Sequence, residues 1–374
     1  MVDFSQSTYL NKIYPYDLWM ESVGIPIHKG YFVPNLRNVE LGWWEQRQCN
    51  ACFIQLMGQE GISEARVTEI GPGQTLPPLK FGLDEIVYVL HGRGLTTVSE
   101  ADGSHQKTFE WQQFSMFVIP QNRVRQFSNM QGDRPARLLH YNYLPMAISV
   151  VQDPEFFFSN SYQPESSEFA HDGSFYSEAR IAPEFSFTDP GGRMRNTWYG
   201  NFFPDMRAWD KLDTHQARGA GGHSVHIQFP HSQMSCHMSV FPARTYKKAH
   251  RHGPGRVIVI PAGDGYSIMW EEGKEKVVVP WQEASVFVPP QKWFHQHFNI
   301  GATPARYVAL HPLKQFYGHA EKIEDRARDQ IEYVSEDPWI RARFEEELAR
   351  KGITSLMPDE AYRNPQFEWS YATA

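Results

Sequence analysis

One stretch of this chain occurs twice. Residues 111–140 read WQQFSMFVIPQNRVRQFSNMQGDRPARLLH, and residues 281–311 read WQEASVFVPPQKWFHQHFNIGATPARYVALH. Trp111, Phe117, Pro120, Asn129 and the run Pro135-Ala136-Arg137 have counterparts at Trp281, Phe287, Pro290, Asn299 and Pro304-Ala305-Arg306. The offset is constant up to the asparagine and one shorter after it, so the indel falls in a turn. Agreement of this kind marks two copies of one structural unit. Each copy is made of short apolar, β-branched and aromatic runs, such as EIVYVLHGRG, SMFVIP, RVIVIPAGDG and ASVFVPP, punctuated by Gly, Pro and Asp. Short strands at this spacing predict a sandwich or barrel, not a parallel α/β sheet.

The expected class is therefore all-β: two tandem barrels with an N-terminal arm and a C-terminal helical extension. A length of 374 residues suits two ordinary domains. The boundaries read as an arm over 1–44, a first barrel over 45–145, a connection over 146–199, a second barrel over 200–315 and an extension over 316–374. The connection begins VVQDPEFFFSNSYQPESSEFAHDG, irregular yet too aromatic for a disordered linker; it is expected to pack across the barrels or form a lid. In the extension, Asp337-Pro338 reads as a cap and a first-turn proline. Ile340, Phe344 and Leu348 then recur on one face, and Gly352 stops the helix. That stripe predicts docking on its own barrel or on a neighbouring subunit.

Charge and cysteine usage narrow the function classes. A formal net charge of -7 with no basic stripe argues against nucleic-acid binding. No apolar run is long enough to cross a bilayer, and the first residues, MVDFSQSTYL, lack the segments of a signal peptide. Three cysteines make no disulfide framework, so a soluble, cytoplasmic protein is expected. Cys49-Asn50-Ala51-Cys52 has redox spacing, but it runs on as CFIQLMG, which reads as a strand. A redox pair opens a helix, whose dipole lowers the thiol pKa, so these cysteines read as structural.

The second copy carries His250-Arg251-His252 and, farther on, His295-Gln296-His297-Phe298-Asn299. Alternate residues of a strand share a face, so His250 and His252 project together, as do His295, His297 and Asn299. Two such strands lining one barrel can bring their imidazoles onto a single ion, with positions left open for chemistry. The plainer alternative is a set of core or surface histidines. His91, His223, His226, His231 and His237 read that way.

On these motifs the chain resembles the cupin superfamily. The first cupin motif has two histidines one residue apart, then a glutamate and a glycine; His250, His252 and Gly263 fit it. The second has a proline, a glycine, a histidine and an asparagine; Pro290, His295 and Asn299 fit that. The resemblance implies two jelly-roll barrels, a bicupin, with the metal in the second. Two positions depart from the pattern: Arg256 stands in place of the glutamate ligand, and Lys292 in place of the glycine. The implied ligand set is His250, His252 and His295, with His297 as an alternative or additional ligand. HRH without the glutamate, followed by Trp293-Phe294-His295-Gln296-His297-Phe298-Asn299, is similar to the gentisate and salicylate 1,2-dioxygenase branch. Those bicupins cleave aromatic rings with three-histidine Fe(II), though their metal barrel is the first.

In the first copy the two histidine positions hold Leu79 and Phe81, Arg125 stands for His295 and Phe127 for His297. Glu85 alone remains, and one carboxylate does not hold a divalent ion. That barrel reads as structural, the alternative being a basic interior that binds a small anion. Arg256 could pair with a substrate carboxylate or with a protein carboxylate. Lys247, Lys248, Arg251 and Lys292 add positive charge near the same mouth, which would favour an anionic substrate. Trp293 and Tyr246, with Phe294 and Phe298, could supply an apolar wall, the alternative for two or three of them being core packing, and Asn299 a polar contact.

The function expected from this pattern is a non-haem Fe(II) dioxygenase using O2 on a small aromatic or enolic carboxylate, in a homo-oligomer. A lyase, isomerase or decarboxylase using Zn, Mn or Ni as Lewis acid is the second reading. A non-catalytic ligand-binding bicupin is the third.

Overall fold

The computed structural model describes residues 2–163, 168–177, 179–186, 193–208, 212–318 and 327–370. Two compact units emerge: Met1–Arg180 with Tyr199–Ala208 and Gln228–Ser235, and Ile181–Trp198 with Trp209–Ile227 and Cys236–Ala374.

Each unit contains a pair of facing sheets, and the two pairs have the same strand order. In the first, the larger sheet runs Cys49–Leu56, Glu64–Ile70, Ala136–Asn142, Glu85–His91, Met116–Ile119; the smaller runs Leu79–Lys80, Val124–Asn129, Arg93–Ser99, Lys107–Gln112. In the second, the corresponding orders are His223–Gln228, Ser235–Phe241, Ala305–Leu310, Val257–Ala262, Val286–Phe287, and Ala249–His250, Phe294–Asn299, Gly265–Trp270, Val277–Trp281. The fold is all-β, two tandem jelly-roll barrels, and the repeated sequence is the repeated barrel.

The residues that make the repeat visible are fold pins. Trp111 donates its indole N–H to Thr96 Oγ1 at 2.9 Å, and Trp281 donates to Ser267 Oγ at 3.1 Å. Both indoles lie against a glycine: a Cβ added at Gly94 would sit 2.4 Å from Trp111, and one at Gly265 would sit 2.5 Å from Trp281. Asn129 and Asn299 stitch the strand ends. Asn129 Nδ2 donates to the carbonyls of Ile70, Gly71 and Arg134, while Asn299 Nδ2 donates to those of Pro242 and Thr303.

Parts of the connection belong to each unit. Arg180–Ser186 and Arg193–Tyr199 are strands bordering the second barrel's larger sheet. Phe169 and Phe175 are buried in the core of the first unit. Residues 164–167, 178 and 187–192 of this segment lie outside the described residues. The cysteine motif behaves as a strand, with Cys49 and Cys52 buried at the start of Cys49–Leu56. Burial pushes their thiols up to about 11 and about 12, the opposite of a reactive pair. Among the described residues, no helix is long and apolar enough to cross a membrane.

The C-terminal helix spans Pro338–Arg350, with the Asp337 carboxylate accepting from the Trp339 N–H at its start. Gly352 turns the chain away at φ 71°. Ile340, Phe344 and Leu348 are buried against Tyr246, Tyr266 and Phe298 on the outer face of the second barrel's smaller sheet. The helix thus docks on its own barrel. Phe344→Ala should cost about 3–5 kcal/mol in a urea melt, as for a buried aromatic truncated in a packed core. Glu346→Ala, on the solvent side, should stay within about 0.5 kcal/mol.

Candidate metal centre

Alternation along Phe294–Asn299 decides what the second barrel contains. Phe294 and Phe298 belong to the cluster under the C-terminal helix, so His295 and His297 point the other way, into the barrel. His250 is the direct cross-strand partner of His295. Candidate ligand atoms of His250, His252 and His295 all lie within 4.8 Å of one another, the single such group among the described residues, and all three side chains are buried. His252 Nδ1 bonds the Gly253 carbonyl at 2.7 Å, and His295 Nδ1 bonds that of Trp293 at 3.2 Å. These bonds leave Nε2 of each ring as the lone-pair nitrogen. His250 Nδ1 is buried without a hydrogen-bond partner. Burial, with Arg218 and the neighbouring imidazoles, holds His250 well below the ordinary histidine range. Burial likewise pushes His295 down to about 3, against the hydrogen bond to Trp293. The donor set is neutral nitrogen, the chemistry a divalent transition metal accepts.

His297 is adjacent to this group but not in it: its ring centroid lies 5.5 Å from that of His295 and 6.4 Å from that of His250, and its Nδ1 is held by Ser267 Oγ at 2.8 Å. The five histidines read as bystanders are outside the group as well; His231 pairs with Glu168, and His237 bonds His311 at 2.7 Å.

Two residues expected at the site are elsewhere. Tyr246 is buried between Phe298 and Phe344 and donates its hydroxyl to Glu336, on the face away from the imidazoles. Asn299 has the parity of His295, but its amide is taken up by backbone groups at the strand end. Trp293 is half-buried beside His295, and Arg256 is buried with its guanidinium 5.7 Å from the Tyr317 ring centre. Arg256 is close enough for its charge to depress His295.

The positive rim is different from the one the sequence suggests. Carboxylates of the extension meet it: Lys248 pairs with Glu332 at 2.5 Å, Arg251 with Asp329 at 2.9 Å and Lys292 with Asp329 at 3.7 Å. Lys247 is not on the rim at all; it is 1% exposed and donates to Ser239 Oγ and to Tyr307 Oη. Tyr307 in turn lies beside His297, ring centres 5.0 Å apart. Burial lowers Lys247, against the opposing pull of Tyr307. Burial would raise Tyr307, yet Lys247 and the bonds to Ser239 and Lys247 bring it below the usual phenol range. Arg218, whose charge acts on His250, His295 and His297, was also missed. It sits in a short turn before the barrel with no local pattern to announce it. Tyr307 did carry a signal, since it alternates with buried Val308 in a strand of the repeat.

No family model and no curated protein sequence matches the chain. Solved structures with a similar course of chain include Bacillus subtilis oxalate decarboxylase, at 11% identity over 78% of each chain and a TM-score of 0.47. Another is Lactobacillus farciminis oxalate decarboxylase in a formate complex, at 12% identity, covering 77% of this chain and 87% of that one, TM-score 0.47.

Glu336 gives this side of the sheet a pH dependence. Burial raises its carboxyl to about 7, against hydrogen bonds from Tyr246 and Gln296. A raised acid holds its proton in the folded state, so its contribution is complete below the unfolded pKa near 4.5 and is lost as pH rises through 7. Stability should fall by at most about 3 kcal/mol across that window, and Glu336→Gln should flatten the profile of urea midpoints against pH.

Proposed function

We propose that this chain is a metal-dependent bicupin enzyme that acts on a small anionic organic substrate in its second barrel, with His250, His252 and His295 holding one divalent transition metal. The observation that supports this is the contrast between the barrels. Where one has three buried imidazoles in reach of one point, the other has Leu79, Phe81 and Arg125 at the same register. Three neutral nitrogens suit Fe(II), our first assignment, and also Zn, Mn or Ni. Bound there, the ion would supply Lewis acidity and, for iron, redox chemistry with O2.

The chain's own residues divide the remaining work. Arg256 and Arg218 put positive charge beside the imidazoles, where a substrate carboxylate would be oriented. Trp293 flanks the site as an apolar wall. Two reaction classes draw support from different observations. The lost glutamate leaves a neutral ligand set, which supports oxygen-dependent cleavage of an aromatic or enolic carboxylate. The buried Lys247–Ser239–Tyr307 group can donate and accept a proton, which supports a lyase, isomerase or decarboxylase.

Purified protein reconstituted with Fe(II) should carry about one ion per chain by metal analysis. His250→Ala or His252→Ala should lose it and His231→Ala should keep it; two ions per chain, or none, would sink the reading. Turnover measured with and without O2 separates the reaction classes: activity that persists anaerobically and falls with Lys247→Met belongs to the proton-transfer class. Arg256→Ala should retain metal yet lose about 2–4 kcal/mol in kcat/KM, with poor rescue by Arg256→Lys, since a point charge cannot reproduce the planar fork. A lowered melting point with intact kinetics would instead make Arg256 structural.

A further inference from the structure

The first barrel has no imidazole cluster, but it keeps a cavity of about 40 Å³. Three guanidiniums line it, those of Arg47, Arg66 and Arg125. Arg125, 2% exposed, gives Nη2 to Glu85 at 2.8 Å, while its Nε and Nη1 have no acceptor among the described residues. Arg66 pairs with Glu64 and, at 2.9 Å, with Glu85, and its Nε is likewise without an acceptor. Arg47 has no carboxylate partner among the described residues; its guanidinium stands over the rings of Trp44 and Phe158, 5.3 and 4.6 Å from their centres.

The charges therefore do not balance. Glu64 and Glu85 pair with the guanidiniums of Arg66 and Arg125, and Arg47 is the third cation of the lining. His140 does not alter the sum: its nitrogens bond Glu85 at 3.0 Å and Thr68 at 2.7 Å, and burial keeps it below the ordinary histidine range. One positive charge is left in a pocket that Leu76, Pro77, Leu79 and Phe127 line on an apolar side, with Thr68 and His140 also in the lining. Buried donors without acceptors are costly, and a single anionic acceptor would relieve them while meeting the charge of the partly exposed Arg47.

We propose that the first barrel is a binding site for a small monocarboxylate, with its carboxylate among Arg125, Arg66 and Arg47 and its short carbon chain against Leu79 and Phe127. One net positive charge matches one carboxylate, and the apolar wall suits a carbon tail better than a fully oxygenated anion such as phosphate. This site is independent of the metal centre, and its test is arranged to keep them apart.

The experiment is isothermal titration of the full chain with propionate, and separately with inorganic phosphate. Propionate should bind at one site per chain, and His250→Ala should bind it equally well. Arg125→Gln should weaken it by about tenfold or more, the loss of one charged hydrogen-bonded contact. Because Arg125 also neutralises Glu85, that variant is paired with Arg47→Gln, at the partly exposed edge and with no side-chain hydrogen bond among the described residues; it should lose only its stacking on Trp44 and Phe158, stay folded in a thermal melt and weaken binding about fivefold or more. Absence of saturable propionate binding at millimolar concentrations would overturn the proposal. So would binding that vanishes in His250→Ala or is unchanged in Arg47→Gln. Phosphate binding as tightly as propionate would overturn the carboxylate assignment.

Discussion

The antiparallel register between Ala249–His250 and Phe294–Asn299 sets the contents of the second barrel, because it places His250 opposite His295 and fixes which face of each strand looks inward. A shift of one residue would turn His295 and His297 outward and bring Phe294, Gln296 and Phe298 into the interior. The register is held from both sides. Outside, Phe294 and Phe298 are packed by Tyr246 and the C-terminal helix, and Gln296 donates to Glu336. Inside, the indole of Trp281 bonds Ser267, and Ser267 holds His297. A fold pin shared by both barrels is therefore one hydroxyl away from the histidine strand.

The same register in the other barrel places Leu79 opposite Arg125, and the interior is solved with different chemistry. Burial alone would raise Glu85, but the charges of Arg125 and Arg66, with the hydrogen bond from His140, hold it well below the carboxylate range. A jelly-roll interior has room for polar groups only when they are satisfied together. One barrel approaches this with an ion-pair network around a carboxylate, which leaves donors of Arg66 and Arg125 open, and the other with imidazole nitrogens arranged around one point. The position that carries Glu85 in the first carries Arg256 in the second, so the two interiors have exchanged the sign of that charge.

Much of this was legible in the sequence because it is local or periodic. The repeat showed itself through Trp111 and Trp281 and through Asn129 and Asn299, each needed for a contact that both barrels make. The two histidine pairs followed from the alternation of a strand, and the helix from Asp337, Pro338 and a one-sided stripe. The misplacements are tertiary. Asn299 has inward parity, yet at the strand end its amide turns to Pro242 and Thr303. Tyr246 precedes the first histidine pair in sequence but packs on the opposite face. The rim lysines and Arg251 look free in a linear reading because Asp329 and Glu332, their partners, come from the distant extension. Nothing near Lys247 announces that it is interior.

The C-terminal helix has a consequence for how the chain is made. It follows the histidine strands in sequence, yet it covers the outer face of the sheet that carries them. On the ribosome, Tyr246, Tyr266 and Phe298 are synthesised well before Ile340, Phe344 and Leu348. Until those residues emerge, the nascent second barrel presents an aromatic face to solvent, the kind of surface that chaperones bind and that drives association between unfinished chains. The strand that aims His295 inward is thus clamped only after the helix that follows it in sequence has emerged and folded back over it.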